Sequence, residues 1–204
     1  MTEPLAHARP LPHDPITDPP SPVSAWNVAN GLTMLRLLLV PVFGALLFHG
    51  NGHETSWRIA AFVVFAIAAV TDRIDGELAR RRHLITEFGK LADPIADKAL
   101  IGTALVGLSL LDELPWWVTV VILVREIAVT LLRFSVIRHG VLAASRGGKA
   151  KTLLQTVAIG LYILPLSGWP HALAVVVMAA ALALTLVTGV DYVSRALSLR
   201  RAPA

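Results

Sequence analysis

The chain has 204 residues, 55% of them hydrophobic, and its mean hydropathy is +0.65. That is too apolar for a typical soluble domain and fits one compact membrane domain. The formal charge of +4 does not point to nucleic acid, because the cations lie at the ends of apolar segments and form no basic domain; zero cysteines exclude disulfides, thiolate chemistry and Cys-type zinc sites.

Residues 1–24 carry seven of the thirteen prolines and no apolar run, so they read as a disordered cytoplasmic tail. A signal peptide would need the continuous apolar stretch this segment lacks. Ser24–Val28 reads as a short interfacial helix anchored by Trp26 and ending near Asn30-Gly31. Six apolar segments follow, in roughly 32–49, 57–75, 92–111, 115–137, 152–167 and 171–192, most near the length of about 20 residues that spans a bilayer. The expected fold is therefore an all-α integral membrane protein with six transmembrane helices after the interfacial one. Its expected domains are the tail 1–24, a membrane domain 25–196 and a cytoplasmic tail 197–204.

Pro41 and Pro94 fall inside helical patterns and are expected to kink or begin helices, and Pro94 would leave the Lys90 carbonyl without its helical donor. Pro115, Pro165 and Pro170 mark ends. Gly44, Gly102 and Gly107 suit close helix packing, and the seven histidines sit in tails and loops without ligand spacing.

Orientation follows from the cations. With the N-terminus inside, one set of loops holds Arg80-Arg81-Arg82, Lys90, Arg138, Arg146, Lys149, Lys151, Arg195, Arg200 and Arg201, and the opposite set holds none, with only Arg58 close to it. With an even number of spans, this asymmetry is expected to put both termini on the cytoplasmic side of the membrane.

The stretch from Thr71 to Lys98 carries the chemistry. On a helix, Asp72, Asp75, Gly76 and Ala79 share a face with Arg80 at its edge, and Gly89, Asp93 and Asp97 form a stripe at intervals of four. Four carboxylates crowded near lipid would be driven to take up protons unless cations neutralised them. With no cysteine in the chain and no histidine in either stripe, the donors favour hard ions such as Mg²⁺ or Mn²⁺. Gly76 and Ala79 admit a nucleotide close to the helix backbone, and Arg80 offers a fork suited to phosphate.

The spacing Asp72-x2-Asp75-Gly76-x2-Ala79-Arg80-x8-Gly89-x3-Asp93-x3-Asp97 resembles the complete signature of the CDP-alcohol phosphotransferases, membrane enzymes of phospholipid synthesis. Eight fixed positions over 26 residues make this a specific motif. Further segments are similar to the branch that makes phosphatidylglycerophosphate: Asn30-Gly31-Leu32-Thr33-x2-Arg36, Ala69-Val70-Thr71-Asp72, Arg125-Glu126-Ile127, Leu132-Arg133, Gly148-Lys149-x-Lys151-Thr152 and Gln155. The likeness spans about residues 27–195. It departs at Arg73-Ile74, where that branch often has aromatic residues, on the side away from the acidic face.

The resemblance implies a six-helix homodimer that binds CDP-diacylglycerol at the cytoplasmic ends of helices 2 and 3 and releases CMP. It implies two Mg²⁺ held by Asp72, Asp75, Asp93 and Asp97, with Asp97 also the proton acceptor. Asn30, Thr33, Gly76, Ala79, Arg80 and Thr86 would contact the nucleotide and its phosphates. The implied acceptor is sn-glycerol 3-phosphate, whose 1-hydroxyl attacks the phosphorus next to diacylglycerol; inositol phosphate, or phosphatidylglycerol as in a cardiolipin synthase, is the alternative. An anionic acceptor needs cations to offset the carboxylates, and Arg125, Arg133, Lys149 and Lys151 are the candidates, with membrane-embedded arginines costly unless paired or lining a wet cavity. Glu126 and Arg133, seven apart, offer a structural pair instead, and Arg36 a cation snorkelling from the first turn. A divalent-cation transporter is the rival from another class. It fits poorly, because no acids lie deeper in the bilayer and Arg80 would repel a cation in transit.

Overall fold

The computed structural model describes residues 28–81, 87–136 and 146–201. Among these residues the regular structure is entirely helical. Six α-helices follow in order, α1 (Val28–Phe48), α2 (Thr55–Arg81), α3 (Glu87–Leu110), α4 (Trp116–Val136), α5 (Arg146–Ile163) and α6 (Trp169–Arg201), with a 3-10 turn, His49–Gly52, between the first two. Each helix coincides with one of the six apolar segments. The proline-rich tail, Trp26 and Thr86 lie outside the described residues.

Two boundaries differ from expectation. Asn30 and Gly31 do not end an interfacial helix but lie inside the first turns of α1. A glycine there costs only about 1 kcal/mol relative to alanine, which the packing of a 21-residue helix easily overrides. At the other end of the bundle α5 stops at Ile163 rather than running on towards 167. Pro165 lacks the N–H a continuing helix would need, and the last carbonyls of α5 are satisfied from elsewhere, as described below. Pro41 lies within α1, and α3 is helical through residue 94.

α1 packs on α2 and α3, α5 lies along α6, and α4 joins the group through α6 and α3. The core runs through all six helices, with Phe43, Leu47, Phe65, Leu105, Leu108, Ile122 and Ile159 almost fully buried. Phe43 and Phe65 meet at a ring-centroid distance of 5.7 Å, a tilted contact that fixes α1 against α2. Outward faces are equally apolar: Leu38, Val187 and Val190 are 67%, 65% and 71% exposed. Lipid, not water, stabilises such surfaces. Gly31–Gly52, Thr55–Asp72 and Trp169–Ser194 are long and apolar enough to cross a membrane, and Ala150–Ile163 is a shorter apolar stretch. Over its described residues the chain is thus all-helical and built for a membrane.

The end of the bundle away from the acidic stretch is closed by Arg58 near the start of α2. Its side chain is buried and donates through Nε to Ile163 O (2.7 Å), through Nη2 to Tyr162 O (2.7 Å), and through Nη1 to Gly52 O (3.0 Å) and Glu113 Oε1 (2.6 Å). One guanidinium thereby caps the C-terminus of α5, where a cation is favoured, and ties it to the α1–α2 turn and the α3–α4 loop. That turn is tight: Gly52 has φ +72°, and a Cβ there would lie 2.5 Å from Leu111 Cδ2, so both conformation and space call for glycine.

Candidate active site

α2 is helical through residues 72–81 and α3 through 87–97, so the intervals from Asp72 to Asp75, Gly76 and Ala79, and from Asp93 to Asp97, are helical intervals, as the sequence spacing requires. Asp72 and Asp97 are described as side chains. Those of Asn30, Asp75, Ala79, Arg80, Asp93, Arg133 and Lys149 lie outside the described set, as do Gly76 and Thr86.

Asp72 meets α1. Its Oδ1 lies 2.5 Å from Nη1 of Arg36, which is fully buried while the carboxylate is 36% exposed. Thr33, one turn earlier on α1 and also buried, shares this face. Arg36 is thus no snorkelling cation. It is turned inward to the acidic helix, where the charge it carries is paired.

Asp97 opens onto a cavity of about 350 Å³ between α3, α4 and α5, whose polar lining is Asp97, Lys98, Glu126, Lys151, Thr152 and Gln155. Helical register explains the convergence: Lys151 and Gln155 stand four apart on α5, so both reach the same wall. The charges of Asp72, Lys98, Arg36 and Glu126 all act on Asp97, which links the acidic helices to this cavity.

Glu126 is the hub of the far wall. Its Oε1 accepts from Lys151 Nζ in a close ion pair and from Arg125 Nη1 at 3.1 Å. Arg125 turns away from the cavity towards α6, where Nε donates to Thr185 O (3.1 Å) and Nη2 to Thr188 Oγ1 (2.8 Å). Gly189 makes room for it: a Cβ there would stand 3.3 Å from Arg125 Cγ. Arg125 lines a separate, apolar groove between α4 and α6. Of the sequence-selected cations, then, the structure brings Lys151 to Asp97 and sets Arg125 behind Glu126 as a bolt between α4 and α6. Glu126, set against Arg133 from spacing, has Lys151 and Arg125 as partners.

Sequence reasoning gave no site role to Glu126 or Gln155 and undervalued Arg36. The available signals were the three-residue step from Thr33 to Arg36 and the four-residue step from Lys151 to Gln155. Among the described residues no three His, Cys, Asp or Glu side chains form a metal cluster. The described acids nevertheless suit a hard divalent ion: Asp72 and Asp97 offer only carboxylate oxygens on neighbouring helices, and Asp97 lines the cavity.

A sequence model of the family described as CDP-alcohol phosphatidyltransferase matches residues 26–187. A Mycobacterium tuberculosis H37Rv protein named "Probable phosphatidylglycerophosphate synthase" is 63% identical over 171 residues, covering 84% of this chain and 82% of that protein. Proteins named CDP-diacylglycerol–glycerol-3-phosphate 3-phosphatidyltransferase are 35% identical in Bacillus subtilis, over 83% of this chain and 95% of the relative, and 35% identical in Rickettsia typhi, over 81% and 94%.

Proposed function

Since the chain belongs to the CDP-alcohol phosphatidyltransferase family, we propose that it is the transferase its relatives' names describe. It moves the phosphatidyl group of CDP-diacylglycerol to sn-glycerol 3-phosphate, giving phosphatidylglycerophosphate and CMP in phospholipid biosynthesis. The observation that carries this reading is the cavity in which Asp97 faces Lys151, a proton acceptor and a phosphate-binding cation across one space.

In the proposed reaction the 1-hydroxyl of glycerol phosphate enters this cavity and gives its proton to Asp97 as it attacks the phosphorus next to diacylglycerol. Asp72, Asp75, Asp93 and Asp97 would hold two Mg²⁺, or Mn²⁺, which neutralise the diphosphate and stabilise the departing phosphate oxygen when bound. Gly76 and Ala79 leave room for the cytidine against α2, and Arg80, Thr86, Asn30 and Thr33 complete the nucleotide contacts. Arg36 holds Asp72 in place and supplies a buried positive charge beside the diphosphate. Lys151 binds the acceptor phosphate, and Lys149 and Arg133 add to the positive potential there. Arg125 acts on this phosphate through Glu126, by fixing the carboxylate that orients Lys151.

The same reading takes the protein as a homodimer with six spans, residues 25–196 forming the membrane domain and the tails 1–24 and 197–204 lying with both termini in the cytoplasm of a bacterial cell. The excess of lysine and arginine on one set of loops supports that orientation. It brings the site to the lipid–water boundary, where a lipid donor and a soluble acceptor meet.

Incubating the purified protein with CDP-diacylglycerol, Mg²⁺ and each acceptor in turn tests the proposal. CMP and phosphatidylglycerophosphate are expected with sn-glycerol 3-phosphate. A different lipid product, formed with inositol phosphate or phosphatidylglycerol instead, would overturn the choice of acceptor.

A further inference from the structure

Gln155 plays no part in the chemistry described so far. It lies one turn beyond Lys151 on α5, is 3% exposed, and lines the cavity that Asp97 and Lys151 share. Its Oε1 is buried without a hydrogen-bond partner among the described residues. An uncharged amide acceptor is seldom left this way in a packed helix, and a leucine would fill the volume at no such cost. The neighbouring polar groups have settled partners: Lys151 with Glu126, Glu126 with Arg125, Thr152 with Gly148 O. Each of these groups already has one partner, whereas the amide oxygen of Gln155 has none among the described residues and is left for a ligand.

The position decides what kind of ligand group it meets. Lys151, four residues away, suits the phosphate of the acceptor, and Asp97 suits the hydroxyl that reacts. A neutral amide has no advantage for either. It does suit a neutral hydroxyl, which gives and accepts hydrogen bonds and so matches an amide in either orientation. We infer that Gln155 hydrogen-bonds the non-reacting 2-hydroxyl of the acceptor and thereby selects a polyol phosphate over a simple alcohol phosphate. This rests on the acceptor occupying the cavity, as proposed above.

The contact would also position the substrate. Three points, at Lys151, Gln155 and Asp97, fix a small three-carbon molecule in one orientation, so that its 1-hydroxyl and not its 2-hydroxyl is presented to the base. Two points would leave it free to turn.

The test compares sn-glycerol 3-phosphate with 1,3-propanediol phosphate, which lacks only the 2-hydroxyl, in the native protein and in Gln155→Met and Gln155→Leu. CMP release gives kcat/KM for each acceptor. The ratio of the two values is independent of how much of a variant folds. The native protein should prefer glycerol phosphate by at least about tenfold, and both variants should bring that ratio to within about twofold of one. Loss of activity towards both acceptors in equal proportion, with the ratio kept, would assign Gln155 to packing and overturn the inference. So would a native enzyme indifferent to the 2-hydroxyl. A native enzyme that forms no phosphatidylglycerophosphate at all would instead overturn the choice of acceptor on which the inference stands.

Discussion

The two ends of the helical bundle each bury a cation against a carboxylate, and they use it in opposite ways. Arg58 spends its donors on three backbone carbonyls and Glu113, all within 3.0 Å, and the result is a lock across α2, α5 and two turns. At the other end Arg36 is paired with Asp72, and Lys151 with Glu126, but the second pair lines a cavity of about 350 Å³ with Asp97 and Gln155 also on its walls. Saturation marks the structural end. Polar groups left facing a space mark the end that binds something.

This contrast can be broken in several ways. Chelation of divalent ions should have the largest effect, lowering CMP release by about a thousandfold or more, with recovery on adding Mg²⁺. Thermal unfolding without substrate should move little, because the Arg58 lock involves no metal. At the closed end, Arg58→Ala strands Glu113 and the last carbonyls of α5. It should destabilise the fold by about 3 kcal/mol, seen as a lower Tm in detergent, while kcat of the folded fraction stays near native. A variant that lost turnover but kept its Tm would reverse the roles given to the two ends.

Lys151→Ala should act the other way. Removing one charged hydrogen-bond donor from the acceptor predicts a KM for glycerol phosphate raised about 10- to 100-fold, with KM for CDP-diacylglycerol much less affected. The smallest effect is expected at Ser109, whose hydroxyl bonds Thr119 Oγ1 at 2.7 Å between α3 and α4. Ser109→Ala should cost about 1 kcal/mol in unfolding and leave both kinetic constants unchanged.

Much of this contrast was legible in the sequence. Apolar segments located all six helices, since a chain that must satisfy its backbone within lipid has helix as its choice. Asp72 and Asp97 were legible because carboxylates between apolar runs are costly without a purpose. Arg58 stood out as the only cation near the opposite loops, yet its partners, 105 residues away at Ile163, could not be read from spacing. Arg36 was misjudged for a related reason: a cation in the first turns of a helix reads as snorkelling, and only the packing of α1 on α2 turns it inward. Arg125 and Lys151 looked alike as cations on neighbouring helices. What separates them is the rotation of α4, which sends Arg125 to Thr185 and Thr188 on α6 and leaves Glu126 facing Lys151.

The reading of the open end depends most on Asp97, and one substitution tests it directly. Asp97→Asn keeps the shape of the side chain and removes its capacity to take a proton. The expected result is CDP-diacylglycerol binding within a few-fold of native together with a fall in phosphatidylglycerophosphate formation of about 100- to 10,000-fold. Turnover close to native in that variant would contradict the account, because Asp97 would then not be the base on which the reaction depends.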